Sequence, residues 1–268
     1  MAIITISRGS YSRGKEIAEK AAKKLGYECI DREIIIAASE HYNIPEMKLV
    51  RAIHDAPSIL ERFGYSKEKY ITFFKSTLLH HLKKDNVIYH GLAGHFLLEG
   101  VPHVLKVRIL SDMEDRIVSE MEREKISREQ AQRLLLSDDQ QRRGWSKYLF
   151  GVDIANPSLY DMVLHISTIT PDDAVDIICD AVGLPHFQST AQSQKVLQDL
   201  LLACNVKIAL LDIKADADVS ARDGIVFVKT STDIPQENHL VHEIKEVGGS
   251  VLGVKKINVN IHPSQDPD

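Results

Sequence analysis

The stretch Ile3-Ile4-Thr5-Ile6-Ser7-Arg8-Gly9-Ser10-Tyr11-Ser12-Arg13-Gly14-Lys15-Glu16 decides how the chain is read. An apolar run leads through Gly-x4-Gly-Lys into a helix-periodic segment, with Ile17, Ala18, Ala21, Ala22 and Leu25 on one side and Gly26 as its C-terminal stop. This strand, loop and helix have the layout of a phosphate-binding loop. Backbone N–H groups converge on phosphate oxygens at a helix N-terminus, where the partial positive charge favours an anion, and Lys15 reaches the β and γ phosphates. Gly9, Ser10, Tyr11, Ser12, Arg13, Gly14, Lys15 and Glu16 are the candidate nucleotide-binding residues. The generic motif places Ser or Thr after the lysine to hold magnesium, and here that residue is Glu16.

With 268 residues, 44% hydrophobic and 26% charged, the chain suits one large globular domain and a small one. A net charge of −5 argues against bulk binding to nucleic acid or anionic membrane and fits small anionic ligands better. Cys29, Cys179 and Cys204 are far apart with no Cys-x-x-Cys pair, so they read as core residues in a reducing cytoplasm. No apolar stretch approaches a membrane span and no signal core follows a charged N-terminus, so the expected location is cytoplasmic.

Further short apolar runs occur at Tyr27 to Ile30, Val87 to His90, Val104 to Ile109 and Met162 to Ile166. With the first, they make five strands of the buried parallel kind. A helix is expected from Asp31 toward Glu40, and helical spacing continues from Pro45 to Lys84. Helix starts are marked by capping boxes at Ser111-x-x-Glu114 and Ser127-x-x-Gln130, and by Thr170-Pro171-Asp172-Asp173. The expectation is a three-layer α/β domain over residues 1–183 with a five-stranded parallel sheet, and a Pro, Gln, Ser and Thr linker over 184–194. A small α+β domain over 195–268 follows, with order αββαβ: a helix at Val196 to Ala203, strands near Val206 to Ile213 and after Asp223-Gly224, a helix at Glu237 to Val247, and a strand at Val254 to Ile261.

Ile3-Thr-Ile-Ser-Arg8, the loop to Lys15-Glu16-Ile-Ala, Leu25-Gly-Tyr and Asp31-Arg-Glu-Ile together resemble the cytidylate kinase-like branch of the nucleoside monophosphate kinases. So does Leu149-Phe-Gly-Val-Asp153 with Asn156-Pro-Ser-Leu-Tyr160-Asp161-Met-Val-Leu. In that branch Glu commonly follows the basic residue of the loop. The resemblance implies a P-loop kinase fold with a helical lid, and ATP with Mg2+ as cofactors. It implies transfer of the γ-phosphoryl group to a nucleoside monophosphate, with CMP or dCMP leading.

The lid candidate is Arg116 to Arg143. Arg116, Arg123, Arg128 and Arg133 have Glu114, Glu120, Glu122, Glu124 and Glu129 at hand and read as a solvated face. Arg142 and Arg143 resemble the family's lid arginines and join Lys15 as catalytic candidates. Asp31, Arg32, Gly91 and Asp161 are the substrate-binding candidates, Asp31 and Arg32 because they end a strand at the sheet edge where ligands bind. One departure concerns the turn after the strand at Val87 to His90. Where the family usually has Gly-Arg-Gly, this chain has His90-Gly91-Leu92-Ala93-Gly94, with His90 and His95 the nearby polar residues.

No metal-ligand set is assigned. His80 and His81 are adjacent on a helix, and His239 with His242 has no third ligand at useful spacing. Ser7, Ser10 and Ser12 are hydroxyl donors near the loop. The C-terminal unit resembles a BON domain in Asp223-Gly-Ile-Val-Phe-Val and in Val247-Gly-Gly-x-x-x-Gly253-Val-x-x-Ile257. That likeness implies binding of a ligand or protein partner, with homo-oligomerisation left open. Two other readings stand beside the kinase: a catalytically silent nucleotide sensor acting through the BON-like domain, and a kinase with another small acceptor.

Overall fold

The run Ile3–Arg8 forms strand β1, whose residues from Ile3 to Ile6 are buried. A strand buried on both faces needs a neighbour on each edge and a layer on each side. In the computed structural model, which describes residues 1–9, 12–31, 67–91, 94–232 and 237–263, β1 has both. In the first unit, α1 (Gly14–Leu25) follows β1, then β2 (Glu28–Ile30). Helix α2 (Lys67–Leu82) belongs to the second unit. The first unit resumes with β3 (Val87–His90), α3 (Gly94–Leu97), β4 (Val104–Ser111), α4 (Met113–Glu124), α5 (Arg128–Phe150), β5 (Met162–Ile166) and α6 (Pro171–Val182). The sheet is parallel, with order β2-β3-β1-β4-β5. All five expected strands are present where the apolar runs place them.

On one face, Ile4, Ile6, Ile88, Val107 and Ile109 pack against Ile17, Ala18 and Ala21 of α1 and Ala174, Val175 and Ile178 of α6. Strand alternation turns Thr5, Ser7, Tyr89 and Arg108 to the opposite face. The expected lid is the hairpin of α4 and α5, closed by Ile117, Ala131 and Leu135. Its second helix starts on the Ser127 and Gln130 capping box, and α6 starts on Thr170 and Asp173 in the same way. Ser111 does not cap α4. Asp112 is the N-cap, without a side-chain bond, and the Ser111 hydroxyl donates to the Ile166 carbonyl, tying β4 to β5.

The second unit lies within Gly64–Lys83 and Ala191–Asp268. It contains α2, α7 (Ala191–Leu210), β6 (Asp218–Arg222), β7 (Ile225–Thr232), α8 (Glu237–Gly249) and β8 (Lys256–Pro263). The αββαβ order holds, but its first strand is not at Val206 to Ile213. Helix α7 continues to Leu210, because Leu202, Val206 and Leu210 recur every four residues and pack on Val226 and Val228 of β7. The strand is instead β6, joined to β7 by Asp223 (φ 57°) and Gly224 (φ 81°), the two left-handed residues of a tight hairpin. Strand β8 pairs with β7 in parallel. Helix α2 packs on α7 in this unit, where the buried Cys204 thiol donates to the Thr72 carbonyl at 3.3 Å. The expected helix beyond Asp31 and the part of the Pro45 to Lys84 segment before Lys67 lie outside the described residues.

The Thr170 hydroxyl accepts from the Asp173 N–H at 3.2 Å, and the Asp173 carboxylate accepts from the Thr170 N–H at 2.9 Å. Thr170→Ala should cost about 1 kcal/mol, read as a lower urea midpoint at unchanged m-value.

Candidate active site

β1 ends at Arg8, and the chain turns through Gly9 toward α1. The Gly9 N–H donates to the Ile109 carbonyl at 3.2 Å. The buried Ser12 hydroxyl lies 3.0 Å from the Gly9 carbonyl and 3.2 Å from that of Ile109, and donates between them. That hydroxyl therefore ties the loop to β4. Arg13 adopts the left-handed conformation (φ 60°, ψ 9°) immediately before α1. A left-handed residue ahead of a helical one turns successive N–H groups to one side and forms an anion-binding concavity. Gly14 is required by packing, since a Cβ there would lie 2.7 Å from the Arg8 Cβ.

Glu16 accepts from Arg13 Nε and Nη2 at 2.9 and 3.2 Å and pairs with Lys20 at 3.0 Å. Burial pushes its pKa up, but the bonds to Lys20 and Arg13 outweigh this and hold it below the usual range. The residue that replaces the generic Ser or Thr thus braces the left-handed turn. Lys15 is exposed, with its ammonium 3.6 Å from Glu19. Ser10 and Tyr11 lie outside the described residues.

Across β1, the carboxyl ends of β2 and β3 bring Asp31 and His90 together at 3.8 Å. Burial, then the neighbouring Arg8, holds His90 below its ordinary pKa, and Lys15 acts in the same direction. Arg8 and Lys15 therefore share one electrostatic neighbourhood with His90 and Asp31. The Tyr89 ring fills the turn that follows, since a Cβ on Gly91 or Gly94 would come within 2.7 Å of it. Arg32, Leu92 and Ala93 lie outside the described residues.

The lid divides its arginines. Arg123 pairs with Glu120 and Glu124, Arg128 with Glu114, and Arg133 donates to the Glu129 carbonyl, as a solvated face would. Arg116 departs from that reading. It is buried, pairs with Asp139 of α5 at 2.8 Å, and brings its guanidinium carbon to 4.0 Å from where a Gly9 Cβ would stand. Arg143 is held by Asp153, whose pKa this pair and the Ala155 N–H lower to about 2. Arg142 is half-buried on the same helix. Asp161 is not with the loop. Its carboxylate accepts from the Lys106 N–H at 2.8 Å and its own N–H donates to the Lys106 carbonyl at 2.9 Å, setting β5 against β4.

A model of the cytidylate kinase-like family matches residues 3–168, more than half of the chain. The chain belongs to that family. Among solved structures, the cytidylate kinase-like protein is similar to an uncharacterized protein from Eubacterium ventriosum, at 17% identity over 68% of this chain and 98% of that one, with a TM-score of 0.53. A shikimate kinase from Bacteroides thetaiotaomicron matches at 8% identity over 68% of this chain and 99% of that one, with a TM-score of 0.42. No curated protein matches the chain. Family membership brings the kinase-like, nucleotide-binding class of fold. Among the described residues of this kinase-like protein, no helix is long and apolar enough to cross a membrane. None of them form a group of three or more His, Cys, Asp or Glu that could hold a metal.

Sequence reasoning named Ser7 and His95 singly but missed the buried polar group that they form with Arg108 and Tyr160 on the α3 face of the sheet. A signal existed in an arginine inside the run Val104 to Ile109, which was expected to be buried on both faces. Burial, with the Arg108 and Lys106 charges next, pushes His95 down to about pKa 3 from an ordinary 6.5. The unfolded chain therefore takes up a proton that the folded one refuses. The stability this contributes is fully present above pH 6.5 and is lost progressively as pH falls toward about 3. His95→Gln should flatten the fall in urea midpoint between pH 6.5 and 4, leaving a slope from His90 and His103, which burial also lowers. Superimposable profiles for variant and wild type would refute the assignment.

Proposed function

We propose that this protein transfers the γ-phosphoryl group of ATP to the α-phosphate oxygen of a nucleoside monophosphate, CMP or dCMP, giving the diphosphate and ADP. The supporting observation is the loop itself: a left-handed Arg13 ahead of α1, Lys15 beside it, and the lid residue Arg116 over Gly9. In-line phosphoryl transfer needs position and neutralised charge more than covalent chemistry, which suits this set of cations. In this reading the loop N–H groups and Lys15 hold the donor phosphates, and Arg116 adds a cation from the lid. Arg142 and Arg143 meet the transferred group when the lid closes, with Arg143 exchanging Asp153 for phosphate. Asp31, Arg32 and Gly91 face the acceptor, and Asp161 acts at one remove by fixing β5. Lys15 and the loop N–H groups would hold ATP together with its magnesium, which would supply further neutralisation of phosphate charge. The cytoplasm is the proposed location, and the BON-like C-terminal unit is proposed to dock a ligand or protein partner.

Leu92 at the turn after β3 favours a second reading, a silent nucleotide sensor. The deciding experiment is diphosphate formation from ATP and a panel of CMP, dCMP, UMP, AMP and GMP. CDP or dCDP is the expected product. ATP binding without any diphosphate would turn the assignment to the sensor or to another acceptor. Lys15→Met should lower turnover by a factor on the order of 10² or more at unchanged melting temperature, and surviving activity would show that the donor site is misplaced. Arg116→Met should weaken ATP binding about tenfold by calorimetry, roughly 1.4 kcal/mol.

A further inference from the structure

Arg108 is 9% exposed, and no carboxylate pairs with it among the described residues. A guanidinium carries five N–H donors. Here Nη1 donates to the Tyr160 hydroxyl at 3.0 Å, with the guanidinium carbon 5.4 Å from the phenol ring centre. Tyr160 is itself fixed, donating to the Ile154 carbonyl at 2.9 Å and lying 3.3 Å from Ser7 Oγ. His95 packs on the same phenol, with ring centroids 4.7 Å apart, and its buried Nε2 has no hydrogen-bond partner among the described residues. The buried Thr5 hydroxyl on this sheet face likewise has no partner among the described residues. A buried cation with no counter-charge among the described residues, beside polar atoms with no partner among them, is a costly arrangement that an anion would relieve.

The place of the cluster says which anion. Ser7 and Arg108 are register partners, two residues before Gly9, and the next residue of β4, Ile109, accepts the hydrogen bonds that hold the phosphate loop. His95 lies in α3, directly after the turn in which Leu92 stands where an arginine is usual. We propose that Arg108, held by Tyr160 and flanked by His95, forms a second oxyanion subsite beside the phosphate loop that takes a phosphate group, so that β4 supplies the cation the β3 turn lacks. The subsite rests on the cluster alone. Its assignment to the acceptor's phosphate rests on the kinase reading above.

The test is calorimetric binding of orthophosphate, CMP, cytidine and ATP to the full chain, to Arg108→Met and to Lys15→Met, with melting temperatures for each. Orthophosphate and CMP should bind wild type and Lys15→Met, and should bind Arg108→Met at least tenfold more weakly. Cytidine, which lacks the phosphate, should bind none of them measurably. Arg108→Met should melt no lower than wild type, since it removes a buried charge. Should that variant fail to fold, Arg108→Lys carries the same test, because it keeps the charge and loses the planar fork. Orthophosphate binding that is absent in wild type, unchanged in Arg108→Met, or abolished by Lys15→Met overturns the subsite. A lower melting temperature with unchanged phosphate affinity also overturns it, making Arg108 structural. Loss of ATP binding in wild type would defeat the donor reading without touching the orthophosphate result. Orthophosphate binding without CMP binding would leave the subsite standing and refute the acceptor.

Discussion

One backbone oxygen, the carbonyl of Ile109, carries the phosphate loop. It accepts from the Gly9 N–H and lies within hydrogen-bond reach of the Ser12 hydroxyl, so both ends of the turn hang on β4. Each such bond contributes only about 1 kcal/mol net, yet leaving the buried partners unmatched would cost more. The loop's position is therefore inherited from the register of β1 on β4, which the buried core on the α1 face holds. Arg13, Glu16 and Gly14 then shape what that anchor positions. The first takes the left-handed turn, the second clamps it, and the third lets Arg8 close over the helix start.

The chain is acidic overall, at −5, but Arg8, Lys15, Arg108 and Arg116 are concentrated near the carboxyl ends of β1 and β4. Several cations are engaged by carboxylates: Lys15 by Glu19, Arg116 by Asp139 and Arg143 by Asp153. The first and third pairs are the more solvent-exposed, and exposed pairs contribute little, so in the proposed reading phosphate oxygens displace them at small cost. The Arg116 pair is more buried and belongs to the packing of the lid hairpin. Arg108 stands apart because its partner among the described residues is a neutral phenol.

The two units show different degrees of legibility. In the first, each run became a strand, because four to six mainly apolar residues between turn signals suit the strands of a parallel sheet, the edge strands β2 and β5 being buried only in part. In the second, Val206 to Ile213 had the same look and became helix, since the stripe Leu202, Val206 and Leu210 had a surface to cover in β7. The better strand signal was Asp223-Gly224, whose left-handed pair forces a hairpin and therefore a strand on each side of it. At Ser111, a capping pattern lost to a tertiary contact, because the hydroxyl gained a bond to Ile166 on the neighbouring strand.

By itself, the sequence determined the parallel sheet, the strand, loop and helix at its start, the α4–α5 hairpin and the order, though not every boundary, of the αββαβ unit. Each is set by spacing along the chain: apolar runs, Gly-x4-Gly-Lys, helical periodicity and capping residues. Only the tertiary structure decided which side chains meet. It brought Arg116 over Gly9, set Asp161 on the β4 backbone, and gathered Arg108, Tyr160, Ser7 and His95 from separate elements. Their separations in sequence reach 153 residues, for Tyr160 and Ser7. Local spacing carries no information about such contacts, because strand order and packing create them.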